Sequence, residues 1–80
     1  MKYVLFGKPT CPFCVKAEAL LKKEDLTYHM VNFEEDQVEI LQTIKAAWDW
    51  ETVPMVFYVS DSGDIKLLGG CDDLERHLDA

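Results

Sequence analysis

The apolar positions change period along the chain, and each change marks an element. Residues 2 to 6 form a short apolar and aromatic run closed by Gly7, Pro9 and Thr10. A run of that length bounded by turn residues predicts a strand buried on both faces, followed by a loop. From Pro12 to about Glu24, Cys14, Ala17, Leu20 and Leu21 fall on one helical face, with Lys16, Lys22 and Lys23 largely away from it. Pro12 suits the first turn of that helix, where its missing N–H would have had no intrahelical partner.

Thr27 to Phe33 has strand composition, and Glu34, Glu35 and Asp36 then supply acidic residues suited to a helix N-terminus. Val38, Leu41, Ile44 and Trp48 make the stripe of a second helix, which places Trp48 in the core. Met55 to Val59 is a continuous β-prone run, Ser60 to Gly63 has turn chemistry, and a last strand runs from about Ile65 to Leu68. Those two strands are expected to form a hairpin. Asp72 and Glu75 have the spacing of a capping box, with Leu74 and Leu78 anchoring a short final helix. The order βαβαββα, a right-handed βαβ unit joined to a ββα unit, predicts an α/β fold: one four-stranded mixed sheet flanked by helices.

Eighty residues are enough for one core, so residues 1–80 are expected to be a single domain, working as a monomer. Eight Lys and Arg against fifteen Asp and Glu give a net charge of −7, which repels phosphate backbones and anionic bilayers. Nucleic acid and membrane are therefore not expected partners. The apolar N-terminal run is shorter than the roughly seven to fifteen residues of a signal-peptide core, and no stretch approaches the roughly twenty apolar residues of a span. Three cysteines, an odd number, do not make a disulfide framework, which points to a reducing, cytoplasmic setting.

The chemistry concentrates in Thr10-Cys11-Pro12-Phe13-Cys14, where the first strand gives way to a helix. A sulfur at a helix N-terminus meets free N–H groups and the positive end of the macrodipole, both favouring thiolate, which makes Cys11 the attacking thiol. Cys14 lies about one turn on, close enough to close a disulfide as the resolving thiol. A pKa about three units below the free value near 8.5 raises the thiolate fraction at pH 7 about thirtyfold. Nucleophilicity falls by a similar factor, with a Brønsted slope of about 0.4–0.5, so the main gain is in Cys11 as a leaving group. The Cys-x-x-Cys pair alone also admits half of a zinc site, but Cys71, His29 and His77 do not supply the second close pair such sites use. An Fe–S cluster held between two chains through Cys11 is a further alternative, opposed by the stiffening at Pro12.

With Thr52-Val53-Pro54 ahead of a strand and Gly69-Gly70-Cys71-Asp72 after the last one, the cysteine motif resembles a dithiol glutaredoxin over almost the whole chain. The resemblance implies a four-stranded thioredoxin-like fold and no bound cofactor. It further implies glutathione as cosubstrate, acting on glutathionylated or disulfide-containing proteins, with ribonucleotide reductase a candidate. Residue by residue, it implies that Cys11 is the nucleophile and Cys14 the resolving cysteine, and that Lys8 faces the glycyl carboxylate of glutathione. Phe13 would wall the site where many members have Tyr. Thr52, Val53 and a cis Pro54 would pair with the cysteinyl backbone, and Cys71 and Asp72 would hold the γ-glutamyl end. Glu51 stands where many members carry a basic residue, which leaves more of the anion binding to Lys8.

Bland readings stand beside these. Lys8 could be a solvated loop charge, Asp72 only a helix cap, and Cys71 a semi-buried small residue rather than a third redox centre. His29 and His77 read as surface or strand residues without partners. Trp50, off the helical stripe and just ahead of Thr52, is a candidate for the border of the groove. A thioredoxin-like hydrogen donor recharged by a flavoprotein reductase is the rival activity.

Overall fold

The computed structural model describes residues 1–79. The elements are β1 (Lys2–Gly7), α1 (Pro12–Lys23), β2 (Tyr28–Asn32), α2 (Val38–Ala47), β3 (Met55–Val59), β4 (Ile65–Gly69) and α3 (Cys71–Asp79), with a 3-10 turn at Glu35–Gln37 ahead of α2. The sheet order is β2-β1-β3-β4, parallel between β1 and β2 and antiparallel elsewhere. A parallel pair requires a crossover, and α1 supplies it. The mixed, helix-flanked βαβαββα architecture expected from the pattern is the one observed.

Side chains alternate across a strand, so the register sorts the two faces. Tyr3 and Leu5 of β1 stand beside Tyr28 and Met30 of β2 and beside Tyr58 and Val56 of β3. Those residues pack with Ala17 and Leu21 of α1 and with Cys71 and Leu74 of α3 in the main core. Full burial of Leu5, Leu21 and Leu74 contributes about 1.5–3 kcal/mol each. The Lys16–Glu75 ion pair, 2.7 Å, joins α1 to α3 at the rim.

The opposite face is thinner. Val4, Phe6, Phe57 and Val59 point towards α2, and Trp48 packs edge-on to Phe57 with ring centroids 5.0 Å apart. Trp48 is nonetheless 41% exposed, and Ile40 and Ile65 are more so. The expectation that Trp48 is core is therefore corrected to a half-open flank. The same coverage corrects the reading of β1 as buried on both faces: Tyr3 and Leu5 are buried, while Val4 and Phe6 are only partly covered.

Both central helices stop by the same device. Asp25 and Asp49 adopt left-handed backbone, φ 54° and 53°. Leu26 N–H donates to Leu21 C=O and Trp50 N–H to Lys45 C=O, while Asp25 and Asp49 donate to Lys22 and Ala46. These paired bonds are Schellman motifs that occupy otherwise unpaired C-terminal carbonyls. The second of them fixes where the chain enters the segment leading to Thr52.

Candidate redox site

The loop after β1 brings Cys11 to the N-cap of α1, with extended backbone and Pro12 as the first helical residue. Its Sγ accepts the Cys14 N–H at 3.3 Å, filling the role a Ser or Asp oxygen usually takes at this position. Cys11 N–H donates to Lys8 C=O at 3.1 Å, and Cys11 C=O accepts Val15 N–H at 3.2 Å, so the backbone is held on both sides. The Cys11 thiol also donates across 4.0 Å to Val53 C=O. The Val53–Pro54 bond beside it is cis.

Cys14 is 1% exposed, against the end of β1. Burial, then a hydrogen bond to the Cys11 sulfur, pushes its thiol up to about 12, opposed by a Lys8 backbone hydrogen bond. The two sulfurs are therefore in hydrogen-bond reach but unequal: Cys11 is half-buried at the surface, and Cys14 is held protonated behind it. Gly7 makes room for this arrangement. A Cβ there would sit 2.5 Å from Cys14 Sγ and 3.1 Å from Cys14 Cβ. All three cysteines are free thiols.

Seven of the residues singled out by sequence, Phe13, Trp50, Thr52, Val53, Pro54, Cys71 and Asp72, line one groove of about 290 Å³ next to Cys11, joined by Gly70 and Asp73. Phe13 is 59% exposed and stands free as a wall. Cys71 is more deeply set than the semi-buried position expected, and burial raises its pKa, with the Lys16 charge pulling the other way. Lys8 is not on that groove. Its side chain borders a separate cavity of about 550 Å³ lined by Pro9, Thr10 and Phe33 and by the carboxylates Glu34, Glu35 and Asp36. Among the described residues, no group of three or more His, Cys, Asp and Glu side chains is gathered to hold a metal ion. No helix among them is long and apolar enough to cross a membrane.

The capping assignment is corrected. α3 begins at Cys71, two residues earlier than a helix capped by Asp72, and the Gly70 N–H donates to Asp73 Oδ2 at 2.9 Å. Asp73, also paired with Arg76, is the capping carboxylate. Asp72 is left exposed on the groove, and Glu75 serves Lys16 instead. Gly69 permits this closure with φ 127°, and any Cβ on it would run into the Asp73 carboxylate. Gly70 and Asp73 were not singled out as site residues. The positive φ of Gly69 lets the chain turn so that the carboxylate of Asp73 reaches the Gly70 N–H. His77 also has a partner: its Nε2 shares a 3.0 Å hydrogen bond with the Tyr3 hydroxyl.

Comparison with known proteins agrees with this geometry. The glutaredoxin family model matches residues 3–61. Glutaredoxin 1 of Rickettsia typhi is 35% identical over 74 residues, covering 89% of this chain and 64% of that protein. The wheat glutaredoxin structure superposes with a TM-score of 0.80 at 31% identity, over 98% of this chain and 73% of its own. A buckwheat glutaredoxin–glutathione complex superposes with a TM-score of 0.76 at 30% identity, over 96% and 68%.

Proposed function

The chain belongs to the glutaredoxin family of thiol-disulfide oxidoreductases, and on that premise we propose that it reduces glutathione mixed disulfides and protein disulfides through Cys11 and Cys14, with glutathione as reductant. The observation that carries the reading is the Cys11 sulfur at a helix N-cap, bonded to Cys14 N–H and facing the Val53 carbonyl at the mouth of the groove. That is where an extended thiol peptide pairing with Val53 would present its sulfur.

With a glutathionylated protein, the Cys11 thiolate attacks the glutathione sulfur and the protein thiolate leaves. A second glutathione thiolate then attacks the enzyme-bound sulfur, and oxidised glutathione departs while Cys11 is regenerated. With a protein disulfide, one substrate sulfur remains on Cys11 after the first exchange. Cys14 displaces it, closing the Cys11–Cys14 disulfide and releasing the second substrate thiolate.

The raised pKa of Cys14 gives this sequence its order. Part of the elevation comes from its hydrogen bond to the Cys11 sulfur and from the charge interaction with Cys11. Burial, the larger cause, persists in a mixed disulfide, whereas both of these contributions weaken once Cys11 is tied up, which eases deprotonation of Cys14 at that stage. Lys8, Phe13, Thr52, Cys71 and Asp72 are proposed as glutathione contacts. Lys8 approaches from the acidic cavity, so its attraction for a glycyl carboxylate is weakened by Glu34, Glu35 and Asp36.

The test is a coupled assay on a glutathionylated peptide and on a protein disulfide, with electrons supplied either by glutathione and its reductase or by thioredoxin reductase. Turnover is expected with the first supply. Turnover only with the second would replace this reading by that of a thioredoxin-like donor.

A further inference from the structure

We propose that Trp50 is a substrate-positioning residue whose indole N–H donates to an acceptor oxygen of the thiol peptide bound in the groove. The inference rests on the activity proposed above and adds a contact to it.

Three observations support it. The first is position: Trp50 borders the groove that holds Phe13, Val53 and Asp72 on one side. On the other side it borders a polar cavity of about 270 Å³ lined by Gln42, Lys45 and Glu51. The second is an unmet hydrogen bond. Trp50 Nε1 is buried, and among the described residues it has no partner. Buried indole N–H groups are ordinarily paired, and an unpaired one is a standing cost that an incoming acceptor would remove.

The third is the anchoring of the backbone. The Trp50 N–H bonds to Lys45 C=O at 2.9 Å within the Schellman motif that ends α2. The main chain is therefore fixed, so it is the side chain that turns to bring the N–H to the bound acceptor.

The acceptor class follows from the surroundings. The groove lining contributes the carboxylates Asp72 and Asp73 and no Lys or Arg. A peptide carbonyl or carboxylate entering there meets repulsion from those acids and finds a neutral donor in Trp50. The chain thus has an uncharged hydrogen-bond donor on the groove, one position before the carboxylate of Glu51.

The experiment uses Trp50→Phe, which keeps an aromatic ring in the wall and removes the N–H donor together with one ring of the indole. With a glutathionylated peptide as substrate, its apparent KM is expected to rise three- to tenfold with kcat within twofold of the parent, the signature of a lost binding contact. In the Trp48→Phe background Trp50 is the sole tryptophan, and S-methylglutathione, which binds without reacting, is expected to shift its emission saturably. An unchanged KM in a folded Trp50→Phe protein overturns the proposal. If that variant does not fold, the emission decides, and a Trp50 signal indifferent to S-methylglutathione overturns it equally. Failure of the activity reading would look different: the parent protein itself would show no glutathione-dependent turnover.

Discussion

Replacing Gly7 by alanine tests whether the packing of Cys14 against β1 supports its chemistry. The new Cβ would lie 2.5 Å from Cys14 Sγ and 3.3 Å from Met30 Cε. Carbon contacts favour about 3.5–4.0 Å, so the sulfur must retreat by roughly 1 Å or the strand must shift. Overpacking of this kind costs about 1–3 kcal/mol, while Gly→Ala at an ordinary backbone conformation returns about 0.4–1 kcal/mol through the unfolded chain. The clash wins, leaving a net loss of about 0.5–2 kcal/mol, or roughly 3–15 °C in Tm for a domain of this size. The assay is thermal unfolding of the reduced protein, alone and in a Cys14→Ala background. Removing Sγ takes away the closest contact, so Gly7→Ala should be nearly neutral there. Turnover of protein disulfides should fall more than deglutathionylation, because in the proposed sequence of steps only the former uses Cys14. A Gly7→Ala protein as stable as the parent, or an equal loss in both backgrounds, would refute the packing argument.

Lys8→Glu is expected to raise the apparent KM for glutathionylated substrates severalfold, by an amount that shrinks with added salt; an unchanged KM at low salt removes Lys8 from the binding set. Asp73→Ala should cost about 1 kcal/mol of stability through the lost cap, whereas Asp72→Ala should be near neutral in stability and felt only in KM, as thermal melts of both will read. Because the Cys14 thiol is raised from its ordinary value of 9.0 to about 12, the stability it contributes is complete below about pH 9 and is lost as pH climbs through 12. Denaturant unfolding across that range should show a decline that Cys14→Ser flattens in part, since Tyr3 and Cys71 are raised as well; an unchanged slope in Cys14→Ser would contradict the burial argument.

The sequence carried the architecture well where one period dominated a segment. The Ala17, Leu20 and Leu21 stripe and the β-prone run from Met55 gave α1 and β3 nearly to the residue. What local pattern could not carry were choices made by distant packing. The apolar run of β1 looks alike on both faces, yet two helices cover one side and a single short helix the other. The helix stops at Asp25 and Asp49 were silent, because aspartate reaches left-handed backbone less often than glycine and does not advertise it. The start of α3 was read two residues late, with Asp72 as its cap, for want of the glycine geometry beside it. Tyr3 and His77, 74 residues apart, meet only through the fold. The placement of Cys11 at a helix N-cap with Cys14 one turn on was legible from spacing and helix chemistry. That Thr52, Val53, Pro54 and Asp72 would share a groove with Phe13 rested on the family resemblance. Lys8 belongs to the other side of the redox loop.

The proposed activity divides the labour between a half-buried attacking thiol at the surface and a fully buried one that acts second. It is tested most directly by measuring deglutathionylation and protein-disulfide reduction side by side for Cys11→Ser and Cys14→Ser, with mass spectrometry of the quenched mixtures. Cys11→Ser should lose both activities. Cys14→Ser should keep substantial deglutathionylation, lose most protein-disulfide turnover and accumulate a mixed disulfide on Cys11, since no neighbouring thiol of high effective concentration remains to resolve it. A folded Cys14→Ser protein that has lost deglutathionylation, or a Cys11→Ser protein that keeps either activity, would contradict the claim.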